Sequence, residues 1–223
     1  MNDDIEFIYE QYGRPRSLIP VGEPAIEAVP FPVSENYAYL LREHGRANFA
    51  SGRLQLVAPG DLREIVPLVI GSDRELGVGA CFAFAYTAFG GLKLWHETQG
   101  LIEADLVTGR VFCVQLTDPD DGPVEAPTAA MDVPIYMPSE DHDLPDEDGE
   151  ALFARALRKL GEIDHLECYG FVPALALGGE AWLERLERRA APEHFAILCQ
   201  ATEFTLVKVT EAIAIEPVRP LGS

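Results

Sequence analysis

Basic side chains are scarce in this chain, which has 17 lysines and arginines against 37 aspartates and glutamates and a formal charge of -20. A protein that binds nucleic acid needs a cationic surface for the phosphate backbone. We therefore expect no direct nucleic-acid binding by the chain alone. The converse role, in which the chain covers the cationic surface of another protein, fits this charge.

The shortage of basic residues is most pronounced in one segment. Residues 117–150 contain twelve acidic residues and six prolines, and neither lysine nor arginine. The remaining residues hold 25 acids and 17 bases, a charge of -8. Such a one-sided segment concentrates an electric field that a basic partner experiences before contact. Proline-rich acidic segments are also common as solvated linkers, and both interpretations stay open for the segment by itself.

Bulky apolar residues interrupt the acidic segment between Met131 and Pro138. A solvated linker has no use for them, so we expect them to pack against this chain or a partner. We predict a partner-binding site in which Tyr136 and Met137 anchor the contact and acids set its association rate. The predicted acidic residues of this site are Asp120, Asp121, Glu140, Asp141, Asp143, Asp146, Glu147 and Asp148.

Cysteine spacing and catalytic motifs give little support to an enzyme or a metalloprotein. The four cysteines are Cys81, Cys113, Cys168 and Cys199. They stand far apart, without histidines at zinc-ligand spacing, so we expect reduced core residues and predict no metal and no cofactor. The chain has no nucleophile elbow and no phosphate-binding loop. An enzyme site assembled from dispersed residues, such as His96, Glu103 and Asp105, is the weaker alternative.

The sequence also lacks a long apolar run. The longest uncharged stretch, residues 76–92, contains four glycines and is too short to span a bilayer. The first fifteen residues have no basic start, so we predict no secretory signal and a cytoplasmic protein without a membrane partner. With 48% hydrophobic residues, the chain can still build a packed core.

The clearest structural signal is a series of strand-like runs separated by turn residues at hairpin spacing. The runs are residues 81–89, 92–97, 101–106 and 110–116. They predict an antiparallel meander with one exposed face and one face that a helix covers. Before the meander, the pattern predicts a helix over residues 36–44 that ends at Gly45. A strand over residues 53–57 and a helix capped by Asp61 should follow.

After the acidic segment, the hydrophobic pattern becomes helical. Apolar residues share one face over residues 151–160, and Gly161 should end this helix. Further helices are predicted over residues 180–189 and 192–200, and a final strand over residues 203–209. The predicted fold class is α+β, an antiparallel β-meander packed with helices and followed by a smaller, mainly helical unit. The predicted domains are residues 1–117, an acidic Pro-rich connecting segment at 118–149, and a carboxy-terminal domain at 150–223.

Two stretches resemble a family of bacterial immunity proteins. They are the run Cys-Tyr-Gly-Phe-Val-Pro-Ala-Leu-Ala-Leu-Gly-Gly at residues 168–179 and the strand-turn-strand sequence at residues 86–96. Proteins of this family join an amino-terminal GAD-like domain to a carboxy-terminal domain found in immunity partners of type VI secretion DNase effectors. The similarity covers residues 30–116 and 150–210, which makes residues 1–117 the GAD-like part.

The resemblance implies a non-enzymatic protein that binds and neutralises a cognate toxin. A DNase presents a basic cleft to its substrate, and an acidic inhibitor can fill that cleft after fast association. Charge and resemblance therefore predict together that the chain occludes the active-site cleft of a DNase effector. The acidic segment matches no motif of the family, so its place at the interface is inferred from charge. The alternative is a regulatory or scaffolding module of the same fold.

Overall fold

The computed structural model describes residues 3–29, 31, 33–118, 143–210 and 212–222. The helices in these ranges are α1 Asp3–Tyr12, α2 Glu23–Ile26, α3 Glu35–His44, α4 Val66–Ile70, α5 Val114–Thr117, α6 Phe153–Leu160 and α7 Ala191–Ala201. The strands are β1 Arg16–Ile19, β2 Arg46–Phe49, β3 Leu54–Leu56, β4 Cys81–Thr87, β5 Gly91–His96, β6 Gly100–Asp105, β7 Arg110–Phe112, β8 Glu167–Phe171, β9 Leu186–Ala190, β10 Thr205–Val209 and β11 Ile215–Pro220.

Nine of the described strands form one sheet, in the order β1-β2-β3-β4-β5-β6-β7-β10-β11, while β8 and β9 form a separate hairpin. Neighbouring strands run antiparallel except β7 and β10, which are parallel. The α+β fold class is therefore confirmed. None of the helices within the described ranges has the length and apolar character needed to cross a bilayer.

The predicted meander is confirmed as strands β4 to β7 at the centre of the sheet. Gly90 and Gly109 adopt positive φ angles of 96° and 72° in two of its turns, a conformation that other residues adopt only with strain. The last strand of the meander, β7, is shorter than predicted. It ends at Phe112, and the residues that follow form the single helical turn α5.

Helices cover both faces of the sheet, although the sequence predicted an exposed face. Apolar residues of α1 and α3 pack on one side, and those of α4 and α7 pack on the other. All seven residues of β4 are buried, and Lys93 of β5 is only 5% exposed. The alternation of β5 was misleading because Lys93 is buried as an ion pair with Glu103 of β6 instead of facing solvent.

The elements before the meander confirm two predictions and correct a third. Helix α3 ends at His44 and is capped by Gly45, whose φ is 66°, and β3 lies where a strand was predicted. The next helix, α4, begins only at Val66, and Asp61 does not cap it. The Asp61 carboxylate forms an ion pair with Arg46 and accepts the N–H of Ala58, so it holds the preceding turn instead.

The carboxy-terminal part contains more β-structure than predicted. Helices α6 and α7 and strand β10 confirm three of the predicted elements. Residues 180–189 were predicted as a helix, but they contain a 3₁₀ turn at Leu183–Arg185 and then β9. Pairing with β8 buries Leu186 opposite Phe171, so long-range pairing overrides the helical spacing of the apolar residues.

Residues on the two sides of the acidic segment build a common core. Strand β10 lies next to β7 in the large sheet, and α7 packs on that sheet. Helix α6 and the β8–β9 hairpin form a third apolar cluster with Ala88 and Phe89, which follow β4. The N–H of Tyr169 also donates to the carbonyl of Ala88 at 2.8 Å. The predicted domain boundaries stay a prediction, and the two parts they separate are in close contact.

Candidate partner-binding site

The residues predicted to bind a partner fall into two groups. Asp120, Asp121, Tyr136, Met137, Glu140 and Asp141 lie outside the described residues. Asp143, Asp146, Glu147 and Asp148 lie in a turn that leads into α6. We call residues 143–152 the acidic turn; a β-bridge between Pro145 and Ala151 closes it.

Asp143 fixes the start of α6. Its Oδ1 accepts the N–H groups of Leu152 at 3.0 Å and Phe153 at 2.8 Å, and its Oδ2 lies 3.4 Å from Arg53 Nη1. The Arg53 guanidinium also lies over the Phe153 ring, 4.4 Å from the ring centroid. A carboxylate at this position satisfies N–H groups that have no partner within the helix. The Asp143 charge therefore serves the fold of this chain.

Asp146 closes the acidic turn from inside. Its side chain is 2% exposed, forms an ion pair with Arg155, and accepts the N–H groups of Asp148 at 3.0 Å and Glu150 at 2.9 Å. The hydrogen bond from Arg155, together with these N–H groups, lowers the pKa of Asp146 below its ordinary value. Asp146 and Arg155 neutralise each other, so this acid adds little to an outward field.

Glu147 links the acidic turn to a second surface feature. Its Oε1 accepts the N–H of Ala181 at 2.8 Å. Ala181 belongs to residues 172–185, which connect β8 to β9 and which we call the β8–β9 loop. The structure thus brings the end of the acidic segment against a loop that lies more than thirty residues later in the chain.

Exposed acids cluster where the acidic turn meets the β8–β9 loop. They are Glu147, Asp148 and Glu150 of the turn and Glu180 and Glu184 of the loop. Three cations lie in the same region: Lys159, which donates to the carbonyl of Leu183 at 2.8 Å, the exposed Arg185, and Arg155, which is paired with Asp146 and interacts electrostatically with Glu150 and Glu184. We call the five acids the acidic cluster. Because Asp146 compensates Arg155, the five acids outweigh Lys159 and Arg185 and leave the surface negative.

Sequence reasoning missed the contribution of Glu180 and Glu184 to this cluster. Both residues fell in a segment that was predicted as a helix, which gave no reason to place them beside residue 147. The available signal was the pair Gly178-Gly179, which is typical of a turn or loop. Proximity to the acidic turn depends on tertiary contacts and has no local signal.

The residues of the alternative enzyme site do not share one pocket. A cavity of about 230 Å³ beside β5 and β6 is lined by Lys93, Glu103 and Asp105 among others, and His96 is not part of its lining. Glu103 is paired with Lys93, while Asp105 accepts N–H groups of the turn after β6. His96 Nδ1 likewise accepts N–H groups of the turn after β5. Glu103, Asp105 and the Nδ1 atom of His96 therefore have structural partners, and His96 Nε2 is buried without a hydrogen-bond partner among the described residues.

The cysteines and the metal-ligating side chains also show no reactive arrangement in the described part of the chain. All four cysteines are buried and free. Burial raises the pKa of Cys81 and of Cys199 to about 12 and that of Cys113 to about 11, so these thiols stay protonated near neutral pH. Groups of three or more His, Cys, Asp or Glu residues suited to a metal ion are not found among the described residues.

Comparison with known proteins supports the resemblance seen in the sequence. Residues 4–105 match the GAD-like domain, and residues 135–202 match the family described as T6SS immunity protein Tdi1, C-terminal. Among solved structures, the chain is similar to Atu4351 from Agrobacterium tumefaciens, with 27% sequence identity, a TM-score of 0.88 and coverage of 98% of both chains. No curated protein matches the chain. The acidic turn and the β8–β9 loop both lie within the second matched region.

Proposed function

We propose that this chain, which combines a GAD-like domain with the C-terminal domain of the type VI secretion immunity protein Tdi1, binds and neutralises a cognate antibacterial toxin. The observation that carries the proposal is the match of residues 135–202 to that immunity domain. The role needs binding and no catalysis by this chain. It would be performed in the cytoplasm of the cell that the protein protects.

The charge of the chain supports a basic toxin, and we propose a DNase effector whose active-site cleft is occluded. The chain carries a formal charge of -20, and a nuclease must attract the phosphates of DNA with cationic residues. Complementary fields increase the association rate and disfavour wrong partners. An acidic surface would occupy the same cleft that DNA uses, which explains inhibition without chemistry.

The acidic residues of the proposed interface have different roles. Glu147 and Asp148 are exposed and available to a partner, together with the other members of the acidic cluster. Asp143 and Asp146 hold the acidic turn in shape through their internal hydrogen bonds. We keep Asp120, Asp121, Glu140 and Asp141 as proposed steering residues, and Tyr136 and Met137 as proposed contacts.

Charge reversal tests the steering role. Replacing Asp120, Asp121, Glu140 and Asp141 by lysine should slow association with the toxin at least about tenfold at low salt, because the local field that attracts a basic partner is lost. The dependence of the association rate on ionic strength should become flatter. The measurement is biolayer interferometry or stopped-flow fluorescence with the purified toxin domain of the cognate effector.

A matched variant separates local from total charge. Lysine at the exposed positions Glu6, Glu10, Glu43 and Glu97 produces the same change in net charge away from the acidic segment. We expect its effect on association to be much smaller. Equal slowing by both variants would mean that the total charge of the chain steers association. Unchanged association kinetics in the first variant would mean that the acidic segment has no steering role. A wild-type chain that fails to bind the toxin or to suppress its DNA cleavage contradicts the proposed function and favours a regulatory or scaffolding module.

A further inference from the structure

The β8–β9 loop presents apolar side chains to solvent, and we infer that they anchor the toxin. The side chains are those of Val172, Pro173, Ala176 and Leu177, which we call the apolar knob. We infer that the apolar knob inserts into an apolar pocket with a basic rim on the toxin. This inference rests on the proposed function and identifies the contact that sets how long the complex lasts.

The exposure of the apolar knob is not explained by the fold of this chain. Leu177 is 60% exposed and Val172 is 39% exposed, while Pro173 and Ala176 are also exposed. Phe171 and Ala174, in the same run, are buried and connect the loop to the core. A single exposed apolar residue is ordinary, but several together on one loop are typical of a binding surface.

Backbone hydrogen bonds and close packing brace the loop that carries the apolar knob. The N–H of Val172 donates to the carbonyl of Arg185 at 2.9 Å, and the N–H of Gly179 donates to that of Ala174 at 3.0 Å. A Cβ at Gly179 would clash with the carbonyl oxygen of Pro173, so the loop is closed as tightly as a glycine permits. An ordered loop loses little conformational entropy when it binds, which makes its apolar side chains effective anchors.

The charges beside the apolar knob determine which kind of partner fits. The β8–β9 loop carries Glu180, Glu184 and one cation, Arg185, and Glu147 is hydrogen-bonded to the loop through Ala181, so the border is acidic on balance. An acidic border repels anionic lipid headgroups and the phosphates of DNA, so neither a membrane nor nucleic acid suits this surface. A protein with an apolar pocket surrounded by basic residues complements both the apolar knob and its acidic border.

The two features of this surface should act on different kinetic steps. Exposed charges at the border of an interface mainly change the association rate and its salt dependence. Apolar groups that become fully desolvated at the centre mainly change the dissociation rate. Loss of the apolar knob should therefore shorten the lifetime of the complex while the rate of encounter is preserved.

The test replaces the apolar knob without touching the acids. In a double variant with Val172→Ser and Leu177→Ser, dissociation from the purified toxin domain should be at least about tenfold faster, with an association rate within about threefold of wild type. The matched control is Ile213→Ser with Val218→Ser, which removes apolar side chains that are 86% and 46% exposed at the far end of the chain. We expect this control to bind like the wild-type chain.

The outcomes separate this inference from the proposed function. If the wild-type chain binds the toxin and the Val172 and Leu177 variant dissociates at the same rate, the inferred anchoring role of the apolar knob is wrong and the immunity role stands. Failure of the wild-type chain to bind overturns both. Binding of the wild-type chain to vesicles of anionic lipid, abolished in the variant, would instead identify a membrane surface and overturn the inference. If the double variant folds poorly, the single change Leu177→Ala, at a largely exposed position, should still speed dissociation several-fold.

Discussion

At the scale of single residues, the role of an acid in this chain depends on its partners and not on its place in a charged run. Asp146 and Asp148 are two positions apart in the same acidic stretch. Asp146 is almost completely buried against Arg155, whereas Asp148 is exposed. The sequence assigned both to a partner, because spacing and composition do not reveal which carboxylate accepts the N–H groups of its own turn.

This difference predicts that neutralising Asp146 lowers the stability of the fold, whereas neutralising Asp148 does not. Asp146→Asn should lower the melting temperature by a few degrees, because the ion pair with Arg155 and charge-assisted hydrogen bonds to the acidic turn are lost. Asp148→Asn should leave the melting temperature almost unchanged and can serve as the control. Calorimetry of the two variants at neutral pH makes the comparison. A larger loss in the Asp148 variant would contradict the assigned roles.

The effect of Asp146 should also depend on pH. The pKa of Asp146 is lowered in the folded protein, so its contribution to stability is fully present above the ordinary aspartate pKa of about 4. That contribution is lost as the pH falls through the lowered value. The difference in unfolding free energy between wild type and Asp146→Asn should therefore be constant above about pH 5 and shrink below about pH 4. A difference that persists unchanged in strong acid would rule out the carboxylate as its source.

At the scale of elements, the β8–β9 loop shows why a run with family resemblance was hard to interpret from sequence. The apolar residues of this run are typical of a buried core, but the structure buries Phe171 and Ala174 and leaves Val172 and Leu177 exposed, with Gly178 ending the short 3₁₀ turn. The exposed positions of Val172 and Leu177 could not be derived, because the loop follows neither a helical nor a strand period. The side chains that face solvent are set by the shape of the loop.

The two glycines of the loop should respond differently to alanine. Gly178 has a φ of 83° with open space around it, so Gly178→Ala should cost about 1 kcal/mol of unfolding free energy through backbone strain. Gly179→Ala must displace the carbonyl of Pro173, so its cost should be at least twice as large, and the apolar knob should move with it. Urea unfolding and amide hydrogen exchange of residues 172–185 measure both effects. Equal costs at the two positions would contradict the close packing at Gly179.

At the scale of the whole molecule, polar side chains from before the acidic segment form hydrogen bonds with the backbone of residues that follow it. Asn48 Nδ2 donates to the carbonyl of Ile163, and Gln55 Nε2 donates to that of Glu167, each at 2.7 Å. The Tyr86 hydroxyl donates to Gln55 Oε1 at 2.6 Å and lies 3.1 Å from the same Glu167 carbonyl oxygen. Together with the β7–β10 pairing, these contacts join the described parts on the two sides of the acidic segment.

This contact predicts that residues 1–117 do not fold stably alone. Without β10 and α7, strand β7 keeps β6 but loses β10 and becomes an edge strand, and the apolar cluster under α7 is exposed to water. We expect the fragment to aggregate or to lack a cooperative thermal transition. The control is the full chain with a protease site inserted between residues 125 and 130, whose two halves should stay associated after cleavage in size-exclusion chromatography. A cooperative transition of residues 1–117 alone would instead establish an autonomous domain with the predicted boundary.

The sequence by itself determined the meander, helices α3, α6 and α7, the excess of acid and the family resemblance. These depend on local periodicity, turn glycines and composition, which neighbouring residues specify without the rest of the fold. Tertiary structure decided that β9 is a strand, that both sheet faces are covered, and that the acidic turn meets the β8–β9 loop. It also decided which of the described acidic residues form hydrogen bonds and ion pairs within the chain and which face solvent. Those outcomes depend on pairing and burial between residues far apart in the chain. The neighbouring sequence of a carboxylate or an apolar side chain does not specify which distant residue it will contact in the folded protein.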